Sequence, residues 1–162
     1  SVGKVRMVRY AMMWRVSYNL TGLCYFHAYS PQQVAELVGA ITGWNTSVME
    51  LWLAAERAYD MARAFNAREG IGPEEDTLPP RLLEALPAGP KAAKAIPREG
   101  FARAVRDLYR LMGWDPQTGA PTRAKLEDLG VGWVADQLGL PLSGRGSARK
   151  HRARAVGLVR CF

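Results

Sequence analysis

Few side chains in this sequence could carry chemistry, and one cysteine is foremost among them. Cys24 lies in an apolar, aromatic stretch with Gly22 and Leu23 before it and His27 three residues after it. A thiolate is a nucleophile and a metal ligand, whereas a cysteine in apolar surroundings is more often a small buried hydrophobe. His27 could relay protons or pack as a hydrogen-bonded core residue. The residues alone leave both pairs of interpretations open.

The chain does not encode a closed metal site of its own. The other cysteine, Cys161, lies near the C-terminus, where we expect no functional role for it. The sequence contains no CxxC, no HExxH and no Cys/His cluster, and structural metal sites need several such ligands. Two cysteines are also too few for a disulfide framework.

Charged side chains elsewhere predict solvated pairs rather than catalysis. Asp60 and Arg63 have the i,i+3 spacing of a surface pair on a helix, and Arg68 with Glu69 suits the electrostatics of a helix end. The acidic run Glu74–Asp76 is flanked by proline. We expect neither a basic partner nor an apolar pocket beside it, and hence no pair of catalytic carboxylates.

Apolar periodicity predicts an all-α fold, an irregular multi-helix bundle with a long Pro/Gly-rich connector. The segment 17–29 lacks helical periodicity and predicts a buried loop, over which something else should pack. The predicted buried helix faces include Val8, Ile41 and Phe65. Helices are predicted over residues 2–16, 31–42, 48–69, 98–112 and 122–129, with a short helix at 80–86 inside the connector 71–97 and one or two turns at 131–138.

The formal net charge of +7 belongs to the end of the chain. Residues 143–162 contain six basic residues and no acid, and the remainder has 16 basic residues against 15 acidic ones. We therefore assign residues 1–140 to a helical domain and 141–162 to a flexible basic tail. Such a tail permits phosphate contacts, but a near-neutral body without helix-turn-helix or zinc-finger spacing argues against a nucleic-acid binder. No segment predicts a membrane span or a secretion signal, so we expect a cytoplasmic protein.

Five segments, taken in order, resemble the C-terminal region of the aldehyde:ferredoxin oxidoreductase family. The resemblance covers roughly residues 5 to 138, and the segments keep the family's order and spacing. Any one of these segments would be weak evidence for the family, whereas five segments in the same order and spacing are strong evidence. They are Asn19-Leu20-Thr21-Gly22-Leu23-Cys24-Tyr25-Phe26, Thr42-Gly43-Trp44-Asn45, Phe65-Asn66-Ala67-Arg68-Glu69-Gly70, Asp76-Thr77-Leu78-Pro79-Pro80-Arg81, and Tyr109 to Trp114 followed by Pro121-Thr122 and Lys125 to Gly130.

The resemblance implies an activity and a set of cofactors. Enzymes of this family oxidise aldehydes to carboxylic acids and pass electrons from a tungsten (or molybdenum) bis-pterin through a [4Fe–4S] cluster to ferredoxin. By resemblance, Cys24 supplies one cluster ligand, and Asn19, Gly22 and Leu23 belong to the element that holds one pterin. A cluster requires thiolate sulfur, and glycine lets the backbone approach a cofactor closely. Asn19 departs from the family's usual Asp, so a neutral hydrogen-bonding contact replaces an anionic one.

The resemblance also implies partners that this sequence does not contain. The family's other three cluster cysteines and its N-terminal pterin-binding domain lie upstream of the matching region. We therefore expect a piece of a longer enzyme, a truncated gene product or one half of a split enzyme, with no cofactor bound and no activity alone. The alternative is a non-catalytic helical interaction module derived from the family. In either case an exposed face around Gly22 to Phe26 favours self-association.

Overall fold

The computed structural model describes residues 2–85, 87–90 and 92–137. The basic tail and the last predicted turn beyond residue 137 lie outside the described residues. The described part is helical and contains no named strand, and an isolated antiparallel bridge joins Trp114 to Pro121. The all-α prediction is confirmed. The elements are α1 (Val2–Thr21), α2 (Pro31–Thr42), α3 (Val48–Arg68), a 3₁₀ turn (Pro80–Leu82), α4 (Arg98–Met112), α5 (Arg123–Asp128) and α6 (Trp133–Gln137).

Local capping signals set most of these boundaries. Ser30 and Ser47 each begin a helix with a capping box, in which the hydroxyl accepts from a backbone N–H and the third helical residue returns the contact. In the second box the backbone N–H of Ser47 lowers the pKa of Glu50. Gly43 and Gly113 end α2 and α4 with φ of 74° and 73°, where a residue with a Cβ would be strained.

The bundle is organised around α1, which packs against α3 and α4, while α2 covers the first turns of α3. One cluster of buried residues joins α1 to α4 through Met13, Tyr109 and Met112. A second joins α1 to α2 and α3, and a third lies where α3 meets α5 and α6. These clusters fix the end of α1 against two other helices, and that end carries the candidate site.

Helix α1 extends five residues beyond its predicted end, and its core-facing stripe is shifted. Val8 is half-exposed, whereas Met13 is fully buried. The Ser17 hydroxyl donates to the Met13 carbonyl oxygen at 3.1 Å and the Thr21 hydroxyl to that of Ser17 at 2.9 Å. These contacts satisfy the polar side chains within the helix, so they do not terminate it.

Two other burial predictions and one helix prediction were wrong. Ile41 and Phe65, predicted to face the core, are 81% and 48% exposed. Helix α2 buries only Val34 and Ala35, because it lies across the start of α3 rather than between two layers. The short helix predicted at residues 80–86 is a single 3₁₀ turn, Pro80–Leu82, in a proline-rich segment that withholds backbone donors.

Asp60 and Arg63 are buried, which corrects the predicted surface pair. Arg63 reaches the connector instead, where its guanidinium donates to Asp76 through Nη1 at 3.0 Å and Nη2 at 2.5 Å. Its Nε donates to the Gly119 carbonyl at 2.7 Å. The Tyr109 hydroxyl also donates to Asp76. Asp76 therefore has a basic partner, contrary to prediction, and it ties the connector to α3 and α4.

A second buried polar group lies one turn earlier on α3. Asp60 is fully buried and accepts from the Trp114 indole N–H at 2.5 Å, while its Oδ2 has no hydrogen-bond partner. Burial raises the pKa of this carboxyl from 3.8 to about 6. The hydrogen bond from Trp114 acts in the opposite direction but is the smaller effect. Nearby, the buried Glu56 pairs with Arg9 and Lys125.

Candidate functional site

The candidate site is the turn that follows α1. The Leu23 N–H donates to the Tyr18 carbonyl at 3.1 Å, and the Gly22 N–H donates to that of Asn19 at 3.3 Å. These two bonds, with Gly22 at φ 69°, form a Schellman motif. Leu23 packs against the cluster that contains Tyr18, as the motif usually requires. The local sequence thus ends α1 so that Cys24 is the first residue beyond the cap.

Cys24 is an exposed free thiol. Its carbonyl accepts from the His27 N–H at 3.1 Å, which closes the next turn of the loop. Among residues 2–85, 87–90 and 92–137, no group of three or more His, Cys, Asp or Glu side chains could hold a metal ion. Cys24 therefore belongs to no such group in the part of the chain that the structure describes.

The structure divides the four predicted site residues between two environments. Asn19, Gly22 and Cys24 are exposed at and just beyond the end of α1. A Cβ built on Gly22 would meet no atom within 4 Å, so the backbone there is open to close approach. Leu23 packs against the core instead, whereas Phe26, two residues beyond Cys24, is 97% exposed.

An aromatic clamp holds this turn, and we had not predicted it. The Tyr25 ring lies edge-on to Tyr18, with centroids 5.8 Å apart, and the guanidinium carbon of Arg15 lies 4.3 Å from the Tyr25 centroid. Tyr18 is anchored in turn, because its hydroxyl donates to the Tyr29 carbonyl at 2.6 Å. The spacing of Arg15 and Tyr18, one helical turn apart, was the available signal.

The loop is exposed rather than buried, which corrects the prediction for residues 17–29. His27 is exposed beside Tyr29 and accepts through its carbonyl from Tyr18 at 3.4 Å. An apolar groove of about 310 Å³ runs beside the loop between α1, α2 and α3. Its rim is exposed at Leu20, Ile41 and Trp44. The predicted need for something to pack over this loop is thus not met by the described part of the chain.

A second groove, of about 360 Å³, lies between the connector and α4, with Arg98, Arg106 and Tyr109 among its lining residues. Burial raises the pKa of Tyr109, and the hydrogen bond to Asp76 raises it further. Tyr109 consequently stays protonated and acts as a donor. This groove is remote in sequence from Cys24, and two of its lining residues, Asp76 and Tyr109, are bonded to each other and hold the connector.

Taken together, the fold and the turn define an all-α module that presents one accessible cysteine beside an apolar face. A family model described as aldehyde ferredoxin oxidoreductase, domains 2 & 3, matches residues 1–131. The chain belongs to this family. None of the described helices is long and apolar enough to cross a membrane.

Curated relatives agree with that assignment. The chain is 32% identical over 132 residues to a tungsten-containing aldehyde ferredoxin oxidoreductase of Pyrococcus abyssi, a match covering 79% of this chain and 21% of the relative. It is 41% identical over 59 residues to the WOR-like subunit of an aliphatic sulfonate oxidoreductase of Pyrococcus furiosus, covering 36% and 9%. The chain thus spans about a fifth of the length of its longest-matching relatives.

A solved structure shares the fold. The active site complex BamBC of benzoyl coenzyme A reductase, bound to 1,5 dienoyl-CoA, aligns with a TM-score of 0.57 and 27% identity, over 72% of this chain and 16% of that one. The arrangement of helices seen here is therefore found inside a much longer redox protein.

Proposed function

We propose that this chain is the C-terminal part of a tungsten-pterin, iron–sulfur oxidoreductase, where it covers the cofactor and supplies one cluster ligand through Cys24. The observation that carries the proposal is the position of Cys24, an accessible thiol immediately after a capped helix, with the exposed Asn19 and Gly22 close to it in the sequence. A [4Fe–4S] cluster held by thiolates supplies one-electron transfer when bound. The remaining ligands would come from the part of the enzyme that this chain does not span.

The chain's own residues would bind and shield that group. Cys24 would hold one iron, and the side chain of Asn19 would offer a neutral hydrogen bond to a pterin. The open backbone at Gly22 allows close approach. Phe26 would exclude water from the cluster, which influences a cluster's reduction potential. With one thiolate, the chain is not expected to catalyse by itself.

In this proposal the substrate and the electron acceptor are those named for the curated relatives. The intact enzyme would oxidise an aldehyde to a carboxylic acid and reduce ferredoxin, because the matches over most of the chain are to tungsten-containing aldehyde ferredoxin oxidoreductases. Tungsten is favoured over molybdenum for the same reason. The partner would be an N-terminal pterin-binding domain, either fused to this chain or separate from it.

The test is joint production of this chain with the polypeptide encoded immediately upstream, with the affinity tag on this chain. Iron, sulfide and tungsten are measured in the purified material, and aldehyde-dependent reduction of ferredoxin is assayed. We expect metal-containing, coloured protein with that activity. A colourless, metal-free chain that retains no partner would contradict the proposal.

A non-catalytic interaction module is the second candidate, and the exposed apolar rim favours it. Leu20, Ile41 and Trp44 border an apolar groove between α1, α2 and α3, and such patches mark interaction sites. Retention of a protein partner without iron or tungsten in the same purification would select this candidate.

A further inference from the structure

We propose that Tyr25, clamped between Arg15 and Tyr18, is a positioning residue that presets the Cys24 turn for its ligand role. The inference rests on the proposed function for that role. Its structural part, the ordering of the turn by the clamp, can be tested on the isolated chain.

The clamp restrains the loop through side-chain contacts, at residues where the backbone makes no hydrogen bond to α1. The Schellman bonds end at Leu23, and the next bond joins the His27 N–H to the Cys24 carbonyl. Between them, Tyr25 is tied to α1 only through its ring, by the Arg15 guanidinium at 4.3 Å and the Tyr18 ring at 5.8 Å. The ring contacts add to the other restraints on the loop, which are the packing of Leu23 and the hydrogen bonds from the Tyr18 hydroxyl to the His27 and Tyr29 carbonyls.

The arrangement suits a ligand that must be ready before its partner arrives. A metal-binding side chain is effective when neighbouring residues lock its geometry in advance, since ordering a free loop on binding weakens the complex. Tyr18 supplies the rigid end of the clamp, because it is 3% exposed and bonded to the Tyr29 carbonyl. Arg15 supplies the exposed end and has no ion-pair partner in the described part of the chain.

Amide hydrogen exchange of the isolated chain tests the ordering directly, with the Leu23 and His27 N–H groups as reporters. Tyr25→Ser removes the ring, Tyr25→Phe keeps it, Arg15→Ala removes the cation, and Arg6→Ala on the exposed side of α1 is the matched control. We expect Tyr25→Ser to accelerate exchange at His27 by about tenfold, since the clamp combines an aromatic pair and a cation–π contact. Arg15→Ala should accelerate it less, and Tyr25→Phe and Arg6→Ala should leave it unchanged.

Iron retention under a chelator, measured on the co-produced complex, tests the positioning role. Tyr25→Ser should lose iron faster than wild type, and Tyr25→Phe should behave as wild type. Unchanged exchange at His27 in Tyr25→Ser would overturn the inference whatever the complex contains. Faster exchange with unchanged iron retention would also overturn it. Failure of the proposed function has a different signature, namely iron that persists in Cys24→Ser.

Discussion

A fully buried carboxyl on α3 and a partly exposed one beside that helix govern the energetics at the scale of single residues. Burial is the main reason that the pKa of Asp60 is raised to about 6. Asp76 instead holds Arg63 and Tyr109. The first carboxyl costs stability when it ionises, and the second contributes stability through a charged partner.

Asp60 should make the protein less stable as pH rises. Its folded pKa of about 6 lies above its unfolded value of 3.8, so the native state binds more protons in that window and its contribution falls between about pH 4 and 6. Asp60→Asn can still accept from Trp114 and should remove this dependence. Above pH 6 we expect it to be more stable than wild type by about 1–3 kcal/mol, measured by urea unfolding. The exposed Asp128→Asn is the control, and equal pH slopes for wild type and Asp60→Asn would contradict the account.

Arg63 should be far more important than an exposed arginine on the same helix. Arg63→Ala leaves the Gly119 carbonyl without its side-chain donor and Asp76 with only the Tyr109 hydroxyl. Breaking a buried pair costs about 3–5 kcal/mol, somewhat less for a partly exposed carboxylate. Arg68→Ala removes an exposed pair with Glu69 and a cation–π contact with the half-exposed Phe65, each worth at most about 1 kcal/mol. Thermal unfolding compares the two variants. Similar losses of stability would contradict the role of Arg63 in holding the connector against α3.

At the scale of elements, the turn between α4 and α5 depends on Gly119. Its φ is 65°, and a Cβ there would overlap Nη2 of Arg63 and lie 3.1 Å from the Tyr109 ring. Gly130 has a similar φ of 72° with open space around it. Gly130→Ala should therefore cost about 1–2 kcal/mol from backbone strain alone, and Gly119→Ala should cost more by displacing Arg63. Chemical denaturation ranks them, and the reverse order would be inconsistent with the packing.

The elements that could be predicted from sequence are those with local signals. Helix α4 matches its predicted bounds, and α2 and α3 begin at the predicted capping serines. The end of α1 was missed because Ser17 and Thr21 bond within the helix. The burial of Asp60 and Arg63 could not be predicted, because their partners Trp114 and Asp76 lie 54 and 13 residues away in the chain. Of the site, the motif located Cys24, whereas the clamp on Tyr25 required the fold.

At the scale of the whole molecule, the exposed apolar rim should cause self-association when no partner is present. Ile41 and Trp44 are 81% and 71% exposed beside the groove, and exposed apolar patches drive association. Trp44→Ser should shift the chain toward monomer in sedimentation velocity. Trp133→Ser, which removes a half-exposed Trp on α6, is the matched control. A wild-type chain that stays monomeric at high concentration would contradict the prediction that the rim causes self-association.

The central claim is that Cys24 is a cluster ligand, and the iron content of the co-produced complex tests it most directly. Wild type and Cys161→Ser should each contain about four iron atoms per chain, as expected for one [4Fe–4S] cluster. Cys24→Ser should lose most of that iron while retaining the partner polypeptide. Full iron content in Cys24→Ser would show that the thiol at the end of α1 is not a ligand.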